Sequence, residues 1–206
     1  MPFTLTNTQE RVVREIEGDL MVPRAMMRLL QGDVGSGKTV VAALAIAIAA
    51  GSNAQAAFMA PTELLAEQHY NNLKVWFDPL GIDVVLLKSK LPAKEKKQIL
   101  GSIEDGTSSI IIGTHALFQG AVNYNNLALV VVDEQHRFGV DQRLSLMNKS
   151  ISGSVPHQLI MTATPIPRTL AMTAYGDLDS SVINELPKGR GTIETVVVSE
   201  EKRESV

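Results

Sequence analysis

The sequence predicts an α/β fold in which a parallel sheet is flanked by helices on both faces. Three observations carry the prediction. Short runs of β-branched and aliphatic residues alternate with stretches of helical periodicity along the whole chain. The strand runs are apolar at successive positions, the pattern of strands covered on both sides. One run leads into Gly32-Asp-Val-Gly-Ser-Gly-Lys38-Thr39, and another ends in Asp133-Glu134.

The first helix is expected to start from a cap at Asn7 or Thr8 and to run through Val12, Val13, Ile16 and Leu20. Met27 to Gln31 reads as a strand, Gly32 to Lys38 as a loop, and Val40 to Ala50 as a buried apolar helix. That stretch falls short of the roughly 18 to 20 apolar residues that cross a bilayer. The alternation continues with a strand at Ala56 to Ala60, a helix from Thr62 to Trp76, a strand at Val84 to Leu87 and a helix from Ala93 to Ile103. A strand at Ser109 to Ile112 is followed by a helical turn near Leu117 and a strand at Leu127 to Val132. Gln158 to Met161 reads as a strand, Pro167 to Tyr175 as a helix with proline in its first turn, and Thr192 to Val198 as a last strand.

Composition excludes several classes of function. The 206 residues are 45% hydrophobic and 20% charged, enough apolar material for a core and too much for a disordered chain. Aromatic residues make up 4%, so base-stacking platforms do not dominate. The absence of cysteine excludes disulfides, thiolate-bound metals and thiol nucleophiles. Four scattered histidines offer no zinc spacing. A net charge of −3 means that any contact with nucleic-acid phosphates is local. The chain opens without a charged segment followed by an apolar core, so it is expected to be cytoplasmic, away from membranes.

The motif at Gly32 to Thr39 matches G-x-x-x-x-G-K-[ST] between a strand and a helix. Gly32, Asp33, Val34, Gly35, Ser36 and Gly37 let the backbone wrap a phosphate with its N–H groups, at the positive end of the following helix. Lys38 reaches the outer phosphates of ATP as a point charge, and Thr39 offers its hydroxyl to Mg²⁺. The strand ending at Asp133-Glu134 places two carboxylates nearby. Asp133 is assigned to the metal and Glu134 to the attacking water. Taken alone, such an acidic pair also reads as a solvated strand cap.

Asp133-Glu-Gln-His136 resembles the DExH signature of the superfamily 2 helicases, and further motifs follow in that order. Phe3-Thr-Leu-Thr6 with Gln9 resembles the Q motif, whose glutamine reads the adenine edge. Ala60-Pro-Thr-Glu-Leu-Leu65 and Gly113-Thr-His-Ala-Leu117 resemble the motifs that touch the nucleic-acid backbone, which implies DNA contacts from Pro61, Thr62, Thr114 and His115. Met161-Thr-Ala-Thr164 resembles the motif that couples the nucleotide site to strand movement, implying a coupling role for Thr162 and Thr164 together with Gln135 and His136. Each also has a plainer reading. Gln9 could be a solvated helix residue, Thr62 a helix cap, and His115 and His136 ordinary loop or core histidines. The lysines between Lys88 and Lys97 could form a basic patch or a solvated helix face.

Three longer strings are more specific. Asp133 to Gly139 (DEQHRFG), Thr162 to Leu170 (TATPIPRTL) and Met59 to His69 (MAPTELLAEQH) resemble the RecG branch-migration helicases. The transcription-repair coupling translocases share much of this, but Gln135 favours the RecG type. The resemblance implies a P-loop NTPase with a RecA-like lobe, the cofactors ATP and Mg²⁺, and forked or branched duplex DNA as partner. It also implies a second RecA-like lobe supplying arginines and an N-terminal wedge domain, and no motif of either is found in the chain. The expected organisation is therefore a first lobe over residues 1–198 and a charged tail over 199–206 leading to a second lobe. The protein is expected to be monomeric, with little hydrolysis by the lobe alone. A non-hydrolysing nucleotide-binding module stays open as an alternative. A P-loop kinase fits neither the DEQH nor the TAT string.

Overall fold

A computed structural model of the chain describes residues 4–134, 155–164 and 178–187. Its helices are α1 (Asn7–Leu20), α2 (Lys38–Gly51), α3 (Glu63–Phe77) and α4 (Ala93–Glu104). Its strands are β1 (Met27–Gly32), β2 (Gln55–Met59), β3 (Val84–Leu87), β4 (Ile110–Gly113), β5 (Leu127–Asp133), β6 (His157–Thr162) and β7 (Asp179–Ile183). Short 3₁₀ turns cover Asp78–Leu80 and His115–Phe118. None of the described helices is long and apolar enough to cross a membrane.

The seven strands form one sheet in the order β3-β4-β2-β5-β6-β1-β7, with every neighbouring pair parallel. Parallel strands need crossover connections, and α2, α3 and α4 carry the chain from β1 to β2, from β2 to β3 and from β3 to β4. Successive residues of a strand enter different cores. Ala56 and Phe58 pack with α1, α2 and α3 through Ile16, Ile46 and Leu73, whereas Ala57 and Met59 pack on the opposite face with Ile103 of α4, Leu117 and Tyr124. Burial on both faces explains why these strands read as continuous apolar runs.

Local signals set the element ends. Thr6, not Asn7 or Thr8, caps α1: its hydroxyl oxygen accepts from the Gln9 N–H at 3.2 Å while the Gln9 side chain accepts from the Thr6 N–H at 2.9 Å. This reciprocal box satisfies two donors that a helix start otherwise leaves open. Thr8 is thereby released to donate its hydroxyl to Asn184 Oδ1 at 3.0 Å, and its N–H reaches Glu185 Oε2 at 3.2 Å. The Thr8 N–H holds the Glu185 carboxyl below its usual range. Thr62 caps α3 through the Leu65 N–H at 3.3 Å.

β7 was not among the expected strands. Its sequence, Asp-Ser-Ser-Val-Ile, lacks an apolar run: β7 lies at the edge of the sheet among the described residues and buries only alternate positions, Ser181 and Ile183. Ser181 accepts from Arg28 Nη1 at 2.8 Å. Arg28, 8% exposed on β1, also pairs with Asp19 at 2.7 Å and Glu15 at 3.4 Å. A buried guanidinium is tolerable only when its donors are matched, and the match ties α1, β1 and β7 together. The expected helix at 167–175 and strand at 192–198 lie outside the described residues, as does the tail at 199–206.

Gln55 occupies a comparable position at the start of β2. Its amide nitrogen donates to the carbonyls of Ile103 and Ser108, both at 2.9 Å, and its oxygen accepts from the Asn126 N–H at 3.0 Å. Gln55→Leu strands these groups in the interior and is expected to lower the unfolding free energy by about 2 to 3 kcal/mol, read from urea midpoints. A loss below about 1 kcal/mol would show that the surroundings rearrange to satisfy them.

His157 gives the fold a pH dependence. The Met26 N–H donates to His157 Nδ1 at 3.0 Å, a bond that only the unprotonated nitrogen accepts, and burial lowers the imidazole pKa from its ordinary 6.5. The unfolded chain therefore takes up this proton at higher pH than the folded chain. The stabilisation is complete above about pH 6.5 and declines as pH falls below it. Urea titrations between about pH 7.5 and 5.5 should show a loss in the wild type that His157→Leu lacks; parallel slopes would exclude His157 as the source.

Candidate active site

β1 is followed in the chain by β2, yet β6 and β5 lie between them in the sheet. At such a switch point the loops leaving neighbouring strands diverge and open a crevice at the carboxyl edge. Strand register fills that edge with the expected motifs. Gln31, one residue before the glycine loop, is level with Thr162, and Asp133 is level with Met161. With neighbouring strands about 4.8 Å apart, the phosphate loop, Thr162 and Asp133 form one short row.

The loop from Gly32 to Gly37 turns through a Ser36 N–H to Asp33 carbonyl bond at 3.0 Å. Gly35 and Gly37 have φ of 80° and 88°, where a side chain is strained. A Cβ at Gly32 would lie 2.5 Å from Ser36 Oγ, and one at Gly37 would collide with Gln9 Nε2. Gly37 provides no side-chain cap to α2, so the helix start is left to the loop and to whatever the loop holds. Lys38 Nζ donates to the Gly32 and Asp33 carbonyls at 2.6 and 3.1 Å. Burial lowers the Lys38 pKa, and the negative charges of Glu134, Asp133 and Asp33 oppose that shift. Thr39 follows in the first turn of α2, half-buried.

The two carboxylates are held differently. Asp133, 9% exposed, accepts from His69 Nε2 on α3 at 2.8 Å. Its other oxygen has no hydrogen-bond partner among the described residues. Glu134 has left the strand with φ of 53°, an uncommon conformation for a residue with a Cβ. Its N–H donates to the Met161 carbonyl at 3.0 Å, and its carboxylate accepts from the Ala163 N–H at 3.2 Å. The left-handed residue thus clamps the end of β5 onto the end of β6. Thr162 and Thr164 meet hydroxyl to hydroxyl at 2.9 Å.

The family model for DEAD/DEAH box helicases matches residues 6–173. The chain belongs to that family. Over 207 aligned residues it is 58% identical to the ATP-dependent DNA helicase RecG of Haemophilus influenzae, covering 100% of this chain and 30% of the relative. It is 53% identical over 195 residues to the ATP-dependent DNA helicase RecG of Bacillus subtilis, covering 95% of this chain and 28% of that one. A solved structure described as RecG bound to a three-way DNA junction matches with a TM-score of 0.86 and 44% identity, covering 100% of this chain and 27% of that one. The chain therefore spans less than a third of the length of each of these three proteins.

In this DEAD/DEAH box helicase chain, the loop residues Gly32 to Thr39 gather with Asp133, Glu134, Thr162 and Thr164. Gln9 joins them in an unexpected way. Its amide nitrogen donates to the Ser36 carbonyl at 2.8 Å and its oxygen is committed to Thr6, so both ends of the amide are engaged within the protein. The amide nitrogen keeps a second hydrogen and the oxygen a second lone pair, so reading an adenine edge would add to these bonds rather than replace them. Pro61, Thr62, Thr114 and His115 follow β2 and β4, on the far side of Asp133 from the glycine loop. Thr62 and His115 are exposed. Thr114 is 4% exposed and its hydroxyl is buried without a partner, so that hydroxyl is not offered at the surface. Phe3, Gln135 and His136 lie outside the described residues. Sequence reading missed His69 as the partner of Asp133. Its only sequence signal is its place at the end of the string beginning at Met59, and nothing there indicates a contact across 64 positions.

Gly37→Ala is expected to destabilise the chain by about 1 to 3 kcal/mol, from the left-handed backbone and the clash with Gln9. In the Gln9→Ala background the same change should cost less, because the clash is gone. Equal costs in a double-mutant cycle measured by denaturation would show that Gln9 does not brace the loop.

Proposed function

We propose that this chain is the ATP-binding lobe of a DNA helicase of the RecG kind. In a protein of the relatives' length, ATP hydrolysis would be coupled to branch migration and fork regression on forked or branched duplex DNA. One observation carries the reading: the phosphate loop, the Asp133-Glu134 pair and the Thr162-Ala163-Thr164 turn leave three neighbouring parallel strands at one edge. The identity with RecG helicases supports the choice among DEAD/DEAH box enzymes.

The residues fit a triphosphate. A helix start without a side-chain cap, preceded by a loop whose Gly32 and Gly37 leave no room for a Cβ, matches what an anion wrapped by backbone N–H groups needs. Lys38, now donating to two loop carbonyls, would exchange them for phosphate oxygens. Thr39 and Asp133 would hold Mg²⁺, which when bound neutralises charge on the phosphates. Glu134 would orient and deprotonate the attacking water, its carboxylate steadied by the Ala163 N–H. Gln9 would serve the adenine end with its second amide hydrogen and second lone pair while it stays bound to Ser36 and Thr6. The bond from Glu134 to Ala163 gives the Thr162 to Thr164 turn a direct contact with the hydrolytic residue, in keeping with a coupling role.

DNA is proposed to lie along the ends of β2 and β4, touched by Pro61, Thr62, His115 and the backbone around Thr114. Thr62 can cap α3 with its oxygen and still donate its hydroxyl hydrogen outward. Contacts of this type reach phosphates and position the protein without reading sequence, as an acidic chain that moves along any DNA requires. The proposed organisation is a first lobe over 1–198 followed by a connecting tail.

Lys38→Ala is expected to abolish nucleotide binding, read by titration of a fluorescent ADP. Glu134→Gln should bind normally and, in the protein of relatives' length, lose about 10²-fold or more in turnover. Normal ATPase activity in that variant would remove Glu134 from the water-activating role. The 206-residue chain alone should hydrolyse ATP slowly, because arginines donated across such a site are worth about 10³ to 10⁵ in rate.

A further inference from the structure

We propose that His69 is a positioning residue for Asp133: its Nε2–H fixes the carboxylate in one orientation, committing one oxygen to the protein and leaving the other for the metal. The proposal deepens the functional reading above and rests on Asp133 being a Mg²⁺ ligand.

His69 occupies a core position of α3. Ala66, His69, Leu73 and Phe77 are the buried residues of that helix and lie on one face at intervals of three and four. A leucine would fill such a place without polar atoms to satisfy. The chain instead buries an imidazole to 8% exposure, with Nδ1 buried and without a hydrogen-bond partner among the described residues. An orphaned polar atom in a core calls for a compensating role, and the other ring nitrogen supplies one. A carboxylate only accepts, so the hydrogen of the 2.8 Å bond is carried by Nε2.

Three features make the bond a suitable rotational lock. Both residues are nearly buried, and a charge-assisted hydrogen bond is stronger in a low-dielectric interior than in water. The imidazole has little freedom, because the Phe58 ring packs against it with centroids 4.5 Å apart and α3 is held in the core along the same face. His69 is also the sole hydrogen-bond partner of the Asp133 side chain among the described residues. Lys38 acts on Asp133 by charge, which attracts but does not fix a torsion. Groups that orient a metal ligand in this manner typically contribute 10- to 100-fold to metal affinity.

The test is a Mg²⁺ titration of fluorescent ADP binding to the full chain, with wild type, His69→Ala, His69→Gln, His69→Leu and Asp133→Ala compared. In wild type, Mg²⁺ should tighten nucleotide binding over its affinity in EDTA. His69→Ala should raise the half-saturating Mg²⁺ concentration about tenfold or more while leaving the affinity in EDTA within about twofold. His69→Gln, whose amide can donate to Asp133, should recover most of the loss. His69→Leu refills the volume without a donor, so it should behave as His69→Ala and replaces that variant if the alanine chain does not fold. An unchanged Mg²⁺ requirement in folded His69→Ala or His69→Leu, with Asp133→Ala impaired, overturns the role of His69 and leaves the functional reading intact. Equal losses in all three His69 variants, with no recovery in His69→Gln, would show that a donor to Asp133 is not what the variants lack, also overturning the proposal. A normal Mg²⁺ response in Asp133→Ala would instead sink the assignment of Asp133 to the metal, and the His69 proposal with it.

Discussion

The register between β1, β6 and β5 is the constraint on which the rest of the site depends. Parallel pairing sets Gln31 level with Thr162 and Asp133 level with Met161, and every loop of the nucleotide site starts from one of those positions. A slip of one residue along β5 would exchange the two faces of the strand. Val131 and Val132 would trade cores, and Asp133 would lose His69. Because both faces are buried, such a slip has no polar side to hide on. The cores on either face hold the strands in register, and the register keeps the catalytic edge together.

Around that edge, the polar groups that chemistry needs are anchored by polar groups that chemistry does not need. Ser36 gives its carbonyl to Gln9, Met161 and Ala163 hold the backbone and carboxylate of Glu134, and His69 holds Asp133. Each anchor comes from a different element, so the site is assembled by the sheet and by helices on one face rather than by any one loop. α1 serves both ends of the arrangement. Gln9 reaches the glycine loop, while Thr8 binds Asn184 and Glu185 just past the end of β7. α3 similarly spans from Thr62, on the side proposed for DNA, to His69 beneath the carboxylate pair, about 10 Å along the helix.

The sequence by itself determined the alternation of strands and helices, because apolar runs and helix caps are local. The glycine loop and the strand-end carboxylates were equally legible, since a phosphate wrap and a metal carboxylate each require particular residue types over a few positions. The exact α1 cap is not legible locally, because Thr6, Asn7 and Thr8 can all cap and the choice falls to Gln9 answering from three positions on. β7 has no apolar run to read, because at the edge of the described sheet it buries only alternate positions, and its buried Ser181 is explained by Arg28 from another strand.

Tertiary structure alone decided which side chains meet. Gln9 is engaged with Ser36 across 27 positions, Thr114 turns its hydroxyl inward, and His69 lies against Asp133 across 64 positions. No local pattern encodes these contacts, because they depend on strand order and on how far each helix is displaced along the sheet. A sequence lists the groups capable of chemistry. Only packing determines which of them are free to perform it and which are already bound to one another.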